Sequence, residues 1–154
     1  MRYLGLDLGT KTLGVSITDK TNTLVSPLRV IKFAFEDYDT ALEEVKKIII
    51  EFSITKVVLG MPKNMDGSIG FAGMRSLKFK EMLEENNIEV VLEDERLTTV
   101  EAENYLLEAD TSRKKRKKVI DGVAATIILE TYLRMKGNKD YEWWKKGFIY
   151  NNQW

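Results

Sequence analysis

The chain has 154 residues, 44% of them hydrophobic and 31% charged, which is the size and balance of one globular domain with a single core. It contains no cysteine and no histidine, which excludes disulfides, thiolate and imidazole metal sites, cysteine nucleophiles and Ser-His-Asp triads. Its 24 basic and 24 acidic residues cancel, so any pull on a polyanion must come from a local patch, not from the total.

Tyr3 to Leu8 is an apolar run of strand length, interrupted by Asp7. Such a run reads as a strand buried on both faces, and an ionised aspartate inside it costs several kcal/mol unless paired. Gly9-Thr10-Lys11 turns the chain into Leu13 to Thr18, an antiparallel hairpin expected to hold Asp7 near its open end. Thr23 to Ile31 reads as a third strand, and Pro27 within it points to an edge position or a bulge. Leu42, Val45, Ile48, Ile49 and Phe52 recur at helical spacing, with Thr40 and Glu43 as a capping box. Lys56 to Gly60 is a short buried strand, followed by the turn-rich loop from Met61 to Ser68. A helix over Met74 to Glu85 and a strand over Glu89 to Glu93 come next. Thr98 and Glu101 open a further helix, the basic run Arg113 to Lys118 follows, and a last long helix carries Ile120, Val123, Ala124, Ile127, Ile128 and Tyr132.

This order predicts an α/β fold: a five-stranded mixed sheet, an antiparallel three-strand meander, and helices packed on the sheet. The later strands require helical crossovers and add in parallel. Residues 1–136 are expected to form the domain, with 137–154 as an aromatic-rich C-terminal extension of it. No apolar run approaches the ~20 residues of a membrane span. The amino end lacks a signal-peptide layout, so a cytoplasmic protein is expected.

Three acids sit where a carboxylate is awkward. They are Asp7 in the first strand, Glu95 where the fifth strand ends, and Asp121 at the start of the last helix. The small residues Gly122, Ala124 and Ala125 would let that helix lie close to the sheet and bring the three acids to one end. Converging anions repel unless cations neutralise them, and Mg²⁺ prefers such oxygen ligands. Two such ions can activate a water and stabilise the leaving oxygen of a phosphodiester without histidine. Solvation of Glu95 and helix capping by Asp121 are the alternatives. Glu93 and Asp94 read as solvated neighbours of Glu95, with either as the ligand in its place if the register shifts by one.

Four motifs occur in order: Leu6-Asp7-Leu8-Gly9-Thr10-Lys11, Pro62-Lys63-Asn64-Met65-Asp66-Gly67, Asp94-Glu95-Arg96-Leu97-Thr98-Thr99 and Ile120-Asp121-Gly122-Val123-Ala124-Ala125. Together they resemble the YqgF family, the RuvX-type Holliday junction resolvases with a ribonuclease H-like fold, over roughly Arg2 to Lys136. The resemblance implies a two-metal hydrolase, an endo- or exonuclease, that cuts structured nucleic acid. It implies Asp7, Glu95 and Asp121 as both catalytic and metal-binding residues. Mg²⁺ is the expected cofactor, with Mn²⁺ as a substitute. The implied reaction is 5′-end processing of pre-16S ribosomal RNA, with four-way DNA junctions as the alternative substrate.

Two departures stand out: Lys11-Thr12 replaces a frequent Lys-Arg, and Gly122 stands where serine is more common. Lys11, Lys63, Asn64 and Arg96 are the expected substrate contacts from the motifs, and Arg113, Lys114, Lys115 and Arg116 from the basic run beside Asp121; an ordinary turn at Pro62-Lys63-Asn64 and pairing of Arg96 with a neighbouring carboxylate are the alternatives, the second preferred for Arg96. A junction resolvase needs a symmetric dimer to cut opposed strands, so a homodimer is compatible.

Two rivals remain. The Asp-Leu-Gly-Thr hairpin also resembles the phosphate-binding opening of actin-like ATPases and sugar kinases, which need two such domains where 154 residues hold one. A non-catalytic nucleic-acid-binding module would keep the fold and the basic loop without cutting.

Overall fold

A computed structural model describes residues 2–64, 66–94 and 122–136. Five strands form one sheet: β1 (Arg2–Leu8), β2 (Thr12–Thr18), β3 (Val25–Lys32), β4 (Ile54–Met61) and β5 (Val90–Asp94). Their spatial order is β3-β2-β1-β4-β5, antiparallel from β1 to β3 and parallel from β1 through β4 to β5. This is the expected mixed sheet, with β1 at its centre. Among the described residues no helix is long and apolar enough to cross a membrane.

The hairpin differs in one detail. Pairing runs to Leu8↔Leu13, so Asp7, opposite Gly14, lies one step from the turn and not at the open end. The turn is short enough for the Gly9 amide to donate to the Thr12 carbonyl, 2.8 Å. Pro27 fulfils both readings at once. β3 is the edge strand, and its pairing with β2 slips between Val15↔Arg29 and Ser16↔Pro27, leaving Leu28 as the extra residue of a bulge.

Helix α1 (Tyr38–Phe52) starts earlier than the capping box at Thr40 suggested, because Asp37 is the N-cap. Its carboxylate accepts from the Thr40 amide at 3.3 Å and from the Thr40 hydroxyl at 2.6 Å. Helix α2 (Phe71–Glu85) also begins earlier than expected. Gly73, a helix-weakening residue, sits inside its first turn because nothing larger fits there. A Cβ at Gly73 would lie 2.8 Å from the Pro62 carbonyl oxygen and 2.7 Å from Ile69. A third helix, α3, covers residues 122–136.

The helices divide the sheet's two faces. Leu4, Leu6, Leu13, Val15, Val57 and Leu59 meet Ala41, Val45 and Ile48 of α1 and Phe79 and Leu83 of α2 in the main core. The opposite face is thinner, with Tyr3 and Val58 packing on Ile128 and Leu129 of α3. Strand alternation assigns these faces. Leu4, Leu6 and their partners point one way; Tyr3, Gly5 and Asp7 point the other.

Candidate active site

Parallel pairing puts the carboxyl ends of β1, β4 and β5 at one end of the sheet, where open α/β sheets bind ligands. Asp7 is half-buried at this end, on the α3 face. Its partner on β2 is Gly14. On β4 the register Leu6↔Leu59 brings Gly60 alongside Asp7 one residue further on, and Gly60 in turn pairs with Glu93 on β5. The row across the sheet thus reads Gly14, Asp7, Gly60, Glu93. Glycines flank Asp7 on both sides, and Gly60 stands between the two acids in the row. At a strand spacing of about 4.8 Å, their backbones lie roughly 10 Å apart.

Glu93 is therefore more than a solvated neighbour. It is half-buried, and burial together with the adjacent Asp94 carboxylate raises its pKa above the ordinary carboxylate value. The sequence offered it only as the alternative to Glu95 on a one-residue shift of register, because a run of three acids looks like a solvated strand end. The signal was the β5 alternation, which puts Glu93 on the face of Val91 and opposite Leu92.

Helix α3 lies very close to this face. The Ser16 hydroxyl donates to the Ala125 carbonyl oxygen, 2.7 Å, and Ala124 and Ala125 are buried. A Cβ at Gly5 would collide with the Ser16 hydroxyl and lie 2.8 Å from the Ala125 carbonyl oxygen and 2.9 Å from Leu129 Cβ. The small residues on the helix have a matching small residue on β1, which the sequence did not single out.

Further along, Tyr132 meets Tyr3 edge-on with centroids 6.1 Å apart, and Lys136 Nζ donates to the Tyr3 hydroxyl, 2.7 Å. Lys56 Nζ donates to the Tyr132 hydroxyl at 3.2 Å and bridges to Glu89 at 3.3 Å. These contacts set the direction of α3. Its carboxyl end lies over the start of β1, and its first described turn points toward the end that holds Asp7.

The loop after β4 leaves the same end. Lys63 is half-buried and Asn64 exposed. Asn64 closes the loop on itself, its Nδ2 donating to the Ser68 hydroxyl and its amide to the Ser68 carbonyl, both 2.9 Å. Asp66 accepts from the Ser68 amide at 2.8 Å. Lys11 is exposed in the β1–β2 turn, and its carbonyl accepts from the Phe33 amide, 3.0 Å. The expectations for Glu95, Arg96, Arg113, Lys114, Lys115, Arg116 and Asp121 lie outside the described residues.

Among the described residues no three acidic side chains gather closely enough to hold a metal ion. Asp7 and Glu93 do supply hard oxygen donors from one face of the sheet, a donor set suited to a hard divalent cation.

The sheet and its helices are shared with solved resolvases. RuvC of Thermus thermophilus in complex with a Holliday junction substrate superposes with a TM-score of 0.51 at 14% identity, covering 88% of this chain and 96% of that one. The fowlpox virus resolvase bound to Holliday junction DNA gives 0.54 at 14% identity, covering 88% and 98%. These likenesses define the fold class as ribonuclease H-like.

In sequence, residues 1–135 match the RuvX family, described as Holliday junction resolvase. The chain is 49% identical over 134 residues to the "Putative pre-16S rRNA nuclease" of Bacillus subtilis (strain 168), covering 86% of this chain and 97% of the relative. The protein of that name from Caldanaerobacter subterraneus subsp. tengcongensis is 50% identical over 141 residues, covering 90% and 99%. The chain belongs to the RuvX (YqgF) family, a family of nucleic-acid hydrolases.

Proposed function

We propose that this protein is a divalent-metal-dependent phosphodiesterase that trims the 5′ flank of pre-16S ribosomal RNA. The observation that carries this reading is Asp7, a half-buried carboxylate at the carboxyl end of the central strand, flanked by Gly14 and Gly60. A stability-driven sequence would put an aliphatic side chain there. The RNA substrate is supported by relatives at 49–50% identity across nearly their whole length. A four-way DNA junction is the second reading, favoured by the description of the family itself.

Mg²⁺, with Mn²⁺ as a substitute, would be held by Asp7 with Glu95 and Asp121, the chain neighbours of Asp94 and Gly122. When bound, such ions supply Lewis-acid charge that acidifies water and steadies a leaving oxygen. Asp7 provides oxygen donors that its strand holds in place, and the flanking glycines leave room for a phosphate between the acids. Lys11 and Lys63, from the two loops at this end, would position the backbone as point charges. With no histidine in the chain, proton movement falls to water and carboxylates.

Cleavage of a labelled RNA spanning the 5′ flank of the small-subunit ribosomal RNA, beside a labelled four-way DNA junction, tests this with Mg²⁺ and with EDTA. Asp7→Asn keeps the shape and removes the charge. Its expected effect is a loss of metal-dependent cutting of about a hundredfold or more. Cutting that survives Asp7→Asn would remove Asp7 from the chemistry. Intact binding without cutting of either substrate would favour the non-catalytic module.

A further inference from the structure

The turn that follows Asp7 is held from outside its own hairpin. The Glu36 amide donates to the Thr10 carbonyl, 2.8 Å, and the Phe33 amide donates to the Lys11 carbonyl, 3.0 Å. The loop between β3 and α1 therefore supports both residues of the turn through backbone bonds. Within that loop the Asp37 amide closes on the Ala34 carbonyl, 2.8 Å, and Glu36 sits in the closed turn at φ 55°. A left-handed backbone suits glycine or asparagine and is unfavourable for a longer side chain. A glutamate at this place is explained by what its carboxylate does. It accepts from Arg75 Nε of α2, 2.8 Å.

Arg75 also leads to the second cationic loop. Two residues before it, Gly73 packs so closely on the loop after β4 that a Cβ there would lie 2.8 Å from the Pro62 carbonyl oxygen. At the helix cap, a Cβ on Gly70 would meet the Asn64 side chain at 3.7 Å. Pro62 and Asn64 are the chain neighbours of Lys63. The start of α2 thus bears on the Lys63 loop through its glycines, and on the Lys11 turn through Arg75 and Glu36. We propose that Glu36 and Arg75 are positioning residues that fix the Lys11 turn relative to the Lys63 loop. They set the two points at which the nucleic-acid backbone is held, and neither of them touches it. The inference rests on the reading of Lys11 and Lys63 as phosphate contacts.

Glu36→Asn separates positioning from charge. Asparagine accepts the left-handed backbone, so the fold is kept, but its side chain is too short for Arg75. If charge alone mattered, removing an acid would tighten the hold on a polyanion. Positioning predicts the opposite: KM for the labelled 5′-flank RNA rises about fivefold, the reach of a half-exposed ion pair, while kcat stays within about twofold. Glu36→Gln loses the same charge but keeps an acceptor at full length, and its KM should lie nearer the wild type. A lower or unchanged KM in Glu36→Asn, or equal rises in the two variants, would overturn the proposal. Amide hydrogen exchange tests the brace without substrate. In Glu36→Asn and in Arg75→Gln the Phe33 amide should exchange about fivefold faster, and the Asn64 amide, bonded to Ser68 within its own loop, should keep its rate. An unchanged Phe33 rate would overturn the brace whether or not the wild type cuts RNA. A faster rate in a protein that cuts neither RNA nor a DNA junction would uphold the brace and sink the nuclease reading alone.

Discussion

The two faces of the central sheet are built from the same five strands yet follow different rules. On the α1 and α2 face, every inward position of β1, β2 and β4 near the centre is a large aliphatic: Leu4, Leu6, Leu13, Val15, Val57 and Leu59. On the α3 face the same strands present Gly5, Asp7, Gly14, Ser16 and Gly60. One face excludes water through bulk. The other gives up bulk so that a helix can approach and a carboxylate can sit in a row of glycines. Apolar burial stabilises by roughly 25 cal/mol per Å², so the second face, whose buried cluster is Tyr3, Val58, Ile128 and Leu129, contributes less to holding the fold together than the main core. It sets distances instead.

Substitutions on each face should separate these roles. The largest effect on stability is expected from Phe79→Ala, which empties a fully buried site in the main core. It should cost about 3–5 kcal/mol in denaturant unfolding while leaving the activity of the folded fraction unchanged. Loss of specific activity beyond the unfolded fraction would show that the two faces are not independent.

Gly5→Ala should cost less, about 1–3 kcal/mol, because it forces α3 away from the sheet. Here specific activity should fall further than stability does. The nearest clash is with the Ser16 hydroxyl, so Gly5→Ala with Ser16→Ala should recover part of both losses. Simple additivity in that double variant would mean that Ser16 does not set the spacing.

The smallest effect concerns the far end of α3. Lys56 holds its proton above the ordinary lysine value of 10.5, chiefly because the Tyr132 hydroxyl accepts from it, with Glu89 adding to the effect. Lys136 is raised in the same way by Tyr3. A raised folded-state pKa gives stability that is fully present below the unfolded pKa and disappears as pH rises through the folded value. The thermal midpoint should therefore drop above about pH 10.5 more steeply in the wild type than in Tyr132→Phe. Parallel curves would mean that this clamp adds nothing.

Much of this organisation was legible in the sequence. The alternation of apolar runs and turn residues predicted five strands, and the need for helical crossovers predicted that the later ones add in parallel. Pro27 marked both an edge and a bulge because a residue without an N–H has few other places in a sheet. Helix starts were less legible, for local reasons. Asp37 and Thr40 are both good capping residues, and only the hydrogen bonds show that the first caps and the second answers it. At α2, Gly73 hid the first turn because its cause, the Pro62 carbonyl and Ile69, lies outside the helix. Of the candidate site, Asp7 was conspicuous because it breaks an apolar run, whereas Glu93 sits among acids and is distinguished only by its register with Gly60. Gly5 was invisible for a similar reason. A glycine in a strand has many explanations, and the one that applies here is Ala125, 120 residues away along the chain.

That distance has a consequence for the order in which the molecule can come together during synthesis. The bond from Ser16 to Ala125 spans 109 positions, whereas the main core is assembled from β1 to β5 and the two helices between them, all within residues 2–94. A growing chain can therefore acquire a stable body while the Asp7 side of its sheet still lacks α3. Contacts so remote in sequence form late, after local ones have offset the loss of chain freedom. On the ribosome the scaffold can thus fold while the chain is still being made, and its Asp7 face is completed only once α3 has emerged.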